Sequence, residues 1–140
     1  MSRDEYLHYL ASVQLFSNCT NKQLREIGKV ASQLSIPAGK TLAHEGEVGR
    51  ELFIILEGTA SVTREGRHLA TVTAGHVVGE LAVLTGQPRN ATVTAETDLE
   101  ILVLTHTELD QLLDDIPGLA KHLLYDVAGR LEAATPGAGR

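Results

Sequence analysis

Apolar and polar positions fall into three successive rhythms along this chain. In the first third they recur at helical spacing: Leu24, Ile27 and Ala31 follow "TNKQ", where Thr20 and Gln23 stand at capping-box distance. A capping box lets each side chain bond a backbone amide that would otherwise lack a partner, so a helix from about Asn21 to Ser32 is predicted. A weaker pattern predicts a short helix around Asp4 to Ser12. From Gln33 the period shortens. Eight of the thirteen glycines lie between Gly39 and Gly86, mostly seven to nine residues apart, and "ELFIILEG", "TASVTREG" and "RHLATVTAG" between them read as consecutive strands. "REGR" supplies a hairpin turn around Glu65-Gly66. "ATVTA" and "LEILVL" are two further strands, joined by a turn at Glu96 to Asp98. In the last quarter the helical period returns. Thr105 and Glu108 form a second capping box for a helix to about Asp114. Pro117 then stands where a helix can start, with an apolar stripe of Ile116, Ala120, Leu123, Val127 and Leu131.

This layout predicts a mainly β fold with flanking helices: an eight-stranded, jelly-roll-like β-roll with N-terminal helices and two C-terminal helices. One domain is expected over residues 1–134, with N-terminal helices in 1–32, the roll in 33–104, C-terminal helices in 105–134 and a flexible tail at 135–140. Composition narrows the function. Hydrophobic residues make up 43% and charged residues 21%, the balance of a globular domain. Twelve basic against eighteen acidic residues leave a net charge of −6, which disfavours a nucleic-acid backbone or an anionic membrane as partner. Cys19 is the single cysteine, so no internal disulfide forms, and it reads as a buried, inert thiol. Neither a signal peptide nor a membrane-spanning run is present, and a cytoplasmic location is expected.

One stretch breaks the strand rhythm. "GELAVLTG", Gly79 to Gly86, holds good helix formers between two glycines, which limit the helix to about one turn. The first amides of such a helix have no intrahelical partner and suit an anion. Gly79 puts no side chain between a ligand and that backbone. Arg89 follows Pro88 and offers a planar fork that fits two phosphate oxygens. Glu80 can only accept hydrogen bonds when ionised, which suits a sugar hydroxyl.

"GELAVLTGQPRNATVTA" resembles the phosphate-binding cassette of cyclic nucleotide-binding domains, the type found in cAMP-dependent kinase regulatory subunits and bacterial cAMP receptor proteins. The upstream segment "IPAGKTLAHEGEVGRELFIILEGTASV" is similar to that family's glycine-punctuated strands, with Gly39, Gly46 and Gly58 at turns, and the resemblance runs from about Leu15 to Leu131. It implies a ligand site and no catalytic residues. Arg89 would clamp the exocyclic phosphate oxygens, and Glu80 would accept the ribose 2′-OH beside the Gly79 backbone. The amides of Leu81 or Ala82, and of Asn90 or Ala91, would complete the phosphate shell. Asn90 departs from the family, where Ala is common among cAMP binders and Thr or Ser helps contact guanine, so the base stays open, with cAMP preferred to cGMP. The helix after Pro117 would act as a lid, with Tyr125 or Leu124 (or Leu123) as its cap, and no cofactor beyond the nucleotide is implied.

Plainer readings stand beside these. Glu80 and Arg89 could form a surface salt bridge, worth only about 0–1 kcal/mol. The cassette could be retained by a ligand-independent interaction domain. Tyr125 could be ordinary packing, and the apolar stripe could be core or a homodimer seam. A β-roll also resembles metal-binding cupins, but His8, His44, His68, His76, His106 and His122 never pair at ligand spacing, so no metal is expected. About ten residues follow the last helix, so an unknown effector protein or a second copy is expected to carry the output.

Overall fold

The runs Glu51–Glu57 and Leu99–Thr105 are apolar at nearly every position, a pattern that only a strand covered on both faces can sustain. The computed structural model, which describes residues 3–134 and the side chains of residues 5–126, shows what covers them. The helices are α1 (Arg3–Ser12), α2 (Asn21–Val30), α3 (Glu80–Thr85), α4 (His106–Asp115) and α5 (Leu119–Ala134), with a 3₁₀ turn at Gln14–Phe16. The strands are β1 (Ser32–Ile36), β2 (Thr41–Ala43), β3 (Glu51–Glu57), β4 (Ala60–Arg64), β5 (Arg67–Val72), β6 (Val77–Val78), β7 (Thr92–Ala95) and β8 (Leu99–Thr105). They form two four-stranded antiparallel sheets, ordered β1-β8-β3-β6 and β2-β7-β4-β5. This is the eight-stranded roll that the sequence predicts.

The two strand faces enter two different cores. Leu52, Ile54 and Leu56 of β3, with Leu102 and Leu104 of β8, pack on Leu10, Phe16, Ile27, Leu109 and Leu123 from the helical layer. Phe53, Ile55, Ile101 and Val103 point the other way, into the space between the sheets, and meet Val78 and Val93. Each such side chain removed from water contributes roughly 1.5–3 kcal/mol. The helical layer therefore packs on the β1-β8-β3-β6 sheet.

Both capping boxes form as the spacing predicts: Thr20 accepts from the Gln23 amide while Gln23 accepts from Thr20, and Thr105 and Glu108 do the same. Thr105→Ala is expected to cost about 1 kcal/mol in a denaturant melt, because the cap at the junction of β8 and α4 is lost. At the β4–β5 turn, Glu65 and Gly66 both have positive φ, 51° and 78°, as a two-residue hairpin loop requires.

Several boundaries differ from expectation. Helix α2 stops at Val30, because Ala31 is already extended and Ser32 pairs with Val103 in β1. The turn at Glu96 to Asp98 joins the ATVTA and LEILVL strands as the sequence predicts, and it carries the chain from one sheet to the other. Strands β1, β2 and β6 carry no clear sequence signal, since two of them are only two or three residues long and β1 is exposed at four of its five positions. Helix α5 begins at Leu119, after a left-handed Gly118; Leu119 and Leu123 are its buried positions among the described side chains, Ile116 is buried just before it at the end of α4, and Ala120 is exposed. Val127, Leu131 and the expected tail at 135–140 lie outside the residues whose side chains are described. Cys19 is partly rather than fully buried, and burial raises its thiol above the ordinary value, which keeps it protonated at neutral pH. No helix among the described residues is long and apolar enough to cross a membrane.

Candidate functional site

Strand β6 runs directly into α3, and the junction is a glycine in the left-handed region, Gly79 at φ 85°. Gly86, at φ 72°, ends the helix in the same conformation. Six residues fit between these two stops, a helix short enough that the first-turn amides at Leu81 and Ala82 have no upstream carbonyl to meet. Four of the expected site residues are buried here: Glu80 is 2% exposed, Ala82 6%, Ala91 8% and Arg89 9%. Glu80 and Arg89 are therefore not surface residues.

Arg89 is held from several directions. Its Nη2 donates to the Glu51 carbonyl at 2.7 Å and its Nη1 to the Gly79 carbonyl at 3.4 Å. The β3–β6 ladder has only two residue pairs, Phe53 with Val78 and Ile54 with Val77, so the guanidinium continues it as a side-chain rung. Below, its charge lies 5.4 Å from the centroid of the Phe53 ring, within cation–π range. The backbone is pinned too: the Arg89 amide donates to Glu47 O and its carbonyl accepts from Gly46 N, each at 2.8 Å. Burial lowers the guanidinium below its ordinary value, opposed by the Glu51 carboxylate, and it remains a cation. Of a guanidinium's five N–H groups, these two carbonyls engage two.

The space beside this fork is a cavity of about 80 Å³, lined by Gly79, Ala82, Arg89, Asn90 and Ala91 together with Ala43, Val62, Val78 and Val93. The cassette residues thus form one wall, and four apolar side chains from both sheets form the other. Leu81 is partly buried and Asn90 exposed at the rim. A larger groove of about 710 Å³ runs along the outer side of α3 between Val48 and Thr107, but neither Arg89 nor the Asn90–Ala91 backbone lines it.

Tyr125 and Leu124 are not brought to this cavity. They lie on α5, 59% and 64% exposed, and no α5 residue whose side chain is described lines the cavity. The Tyr125 ring meets His122 edge-on, with Lys121 Nζ 5.7 Å from its centroid. Leu123, the other apolar cap, is buried in the helical core. Among the described residues, no group of His, Cys, Asp and Glu is placed to hold a metal ion.

Sequence reasoning missed Gly49. A Cβ at that position would lie 2.2 Å from Arg89 Nε, so only glycine leaves room for the guanidinium. The available signal was its spacing: it follows Gly46 by three residues in a series otherwise separated mostly by seven to nine. The apolar wall of Ala43, Val62, Val78 and Val93 carried no motif at all.

Residues 33–115 match the family model for the cyclic nucleotide-binding domain. The chain is 34% identical over 112 residues to a cyclic nucleotide-gated potassium channel of Rhizobium etli, covering 80% of this chain and 31% of the channel. It is 36% identical over 101 residues to the cGMP-dependent protein kinase egl-4 of Caenorhabditis briggsae, covering 72% of this chain and 13% of the kinase. These curated relatives are thus matched over about a third of their length or less. A solved structure described as Sp-2Cl-cAMPS bound to PKAR CBD2 superposes with a TM-score of 0.82 at 25% identity, covering 94% of this chain and 88% of that one. With the cassette, the roll and the family match in agreement, the chain belongs to the cyclic nucleotide-binding domain family.

Proposed function

We propose that this domain is a sensor that binds a cyclic nucleotide reversibly, cAMP in preference to cGMP, and performs no chemistry on it. The observation that carries this reading is the buried Arg89 fork at the wall of a concavity shared with Gly79, Ala82 and Ala91. In this reading Arg89 clamps the exocyclic phosphate oxygens and Glu80 accepts the ribose 2′-OH. The Leu81 or Ala82 and the Asn90 or Ala91 amides complete the shell. A cavity of about 80 Å³ is small beside the roughly 300–1,000 Å³ of small-molecule sites, so sugar and base extend past it along Val62 and Val93. Asn90 is neither the Ala common among cAMP binders nor the Thr or Ser that would assist guanine, so the comparison of the two nucleotides decides the base. A reducing, cytoplasmic setting suits the lone thiol.

Titration calorimetry with cAMP and cGMP tests the reading. Saturable heat is expected with both, tighter with cAMP, and a ligand at a hundred times its Kd raises stability by about 2.7 kcal/mol. Absence of heat and of any melting shift at millimolar nucleotide would transfer the domain to the ligand-independent interaction reading.

The output in this reading is a movement of α5. With Tyr125 and Leu124 exposed and the sugar and base uncovered, nucleotide draws α5 over the roll and sets one of these side chains on the base. The ligand can drive this only by the difference between its affinities for the two arrangements. Spin labels at Lys121→Cys and Arg67→Cys in a Cys19→Ser background are expected to approach each other when nucleotide is added; an unchanged distance rejects the lid. The exposed side of α5 is then free to pass the signal to an effector protein or to a second copy of the chain.

A further inference from the structure

Strand β4 ends beside the cassette. Its ladder with β7 runs from Ala60 opposite Ala95 to Thr63 opposite Thr92 and stops there. Arg64 is the next residue, on the same face of the strand as cavity-lining Val62, because side chains two apart share a face. Where the backbone ladder stops, its side chain takes over: Arg64 Nε donates to the Asn90 carbonyl at 2.8 Å. The following residue ties the same hairpin tip to the opposite loop, since the Glu65 amide donates to Glu45 Oε1 at 3.0 Å. Glu45 in turn donates its amide to Thr92 Oγ1, and the adjoining Gly46 amide holds the Arg89 carbonyl. The β4–β5 hairpin tip, the Glu45–Glu47 loop and residues 89–92 thus close into one ring of hydrogen bonds.

We propose that Arg64 is a positioning residue for the phosphate niche: by holding the Asn90 carbonyl it orients the Asn90–Ala91 backbone so that the Ala91 amide faces the bound anion. This deepens the cyclic nucleotide reading and rests on it. A peptide unit is rigid, so fixing the carbonyl of Asn90 also fixes the direction of the Ala91 N–H in the same plane. Arg64 is itself exposed and makes little of the core, so its role is in binding rather than in folding. Its planar fork suits a carbonyl held at one geometry better than a flexible ammonium does.

The test compares native protein with Arg64→Met and Arg64→Lys. Calorimetry with cAMP is run at about 0.1 M and about 1 M salt, where the screening length falls from about 10 to about 3 Å. Loss of one such hydrogen bond is expected to weaken cAMP binding in Arg64→Met by roughly two- to tenfold, with Arg64→Lys between the two. The gap should persist at high salt, and the unliganded melting temperature should be unchanged. Hydrogen exchange on the unliganded proteins gives a reading independent of nucleotide: the hydrogen-bonded Arg89 and Gly46 amides should exchange faster in Arg64→Met. Equal affinities, a gap that vanishes at high salt, or unchanged exchange each overturn the proposal. If the native protein takes up no nucleotide, the functional reading fails by itself, and the exchange result still decides whether Arg64 braces the segment.

Discussion

Arg89→Ala is expected to remove most cyclic nucleotide affinity, by about 2–5 kcal/mol or roughly thirtyfold to several thousandfold, because the ligand phosphate would enter a buried niche with no countercharge. Burial makes the effect large. At 9% exposure the guanidinium competes with little water, so the phosphate it meets has been stripped of its own hydration. Alanine also leaves the Glu51 and Gly79 carbonyls without their donor, so some of the loss will appear as lower stability of the unliganded protein. Two further variants separate these effects. Arg89→Lys keeps the charge and loses the fork, and its affinity should fall between native and alanine. Gly49→Ala keeps the arginine but places a methyl 2.2 Å from its Nε, so the head group must leave its cradle. Calorimetry on Gly49→Ala should therefore show a loss approaching that of Arg89→Ala, although no ligand-binding group has been removed. Native-like affinity in Gly49→Ala would show that the observed cradle is not the binding geometry.

Gly58→Ala should be the most damaging single methyl addition to the fold. Gly58 has φ 97°, and a Cβ there would lie 2.4 Å from the Asp98 carbonyl, a backbone atom that cannot rotate away, and 2.7 Å from Leu99 Cδ2. The conformation alone costs about 1–3 kcal/mol for a residue with a side chain, and the overlap adds to it. A total of about 3–5 kcal/mol is a large part of the 5–15 kcal/mol that holds a domain of this kind together. Gly66→Ala is the control: its φ of 78° is also positive, but nothing lies within 4 Å of the added methyl. Denaturant melts should show Gly66→Ala losing about 1 kcal/mol and Gly58→Ala several times more. Equal losses in the two would mean that the turn conformation, and not the approach of the Gly58 and Asp98 backbones, sets the demand for glycine at 58.

The two positions differ in how visible they were. Gly58 belongs to the regular series of glycines and marks a turn that a sequence reader can place. What makes it intolerant is Asp98, forty residues later, which brings the β7–β8 turn against the β3–β4 turn and carries no local sign. The same division runs through the site. Gly79, Ala82, Arg89, Asn90 and Ala91 were legible because the cassette is contiguous, and they line one cavity; Glu80 is buried on the same short helix but is not among the lining residues. Gly49, the Glu51 carbonyl and the Phe53 ring, which hold the arginine in place, come from the start of β3 and the loop before it, some forty residues upstream. Tyr125 and Leu124 show the limit from the other side: the apolar period identifies α5, and it does not say which layer that helix packs against.

From the amino-acid sequence come the features whose partners lie within a few residues: the capping boxes at Thr20 and Thr105, the hairpin at Glu65–Gly66, and the glycine-bounded turn of helix with Arg89 behind it. Their chemistry is complete in a short span of chain, so residue order alone specifies them. Tertiary structure decided the division of eight strands into two sheets, the cradle that joins Arg89 to Glu51, and the placement of α5 against the helical layer instead of over the cavity. Those contacts form between segments far apart in the chain, and which segments meet depends on how every apolar face is covered at once.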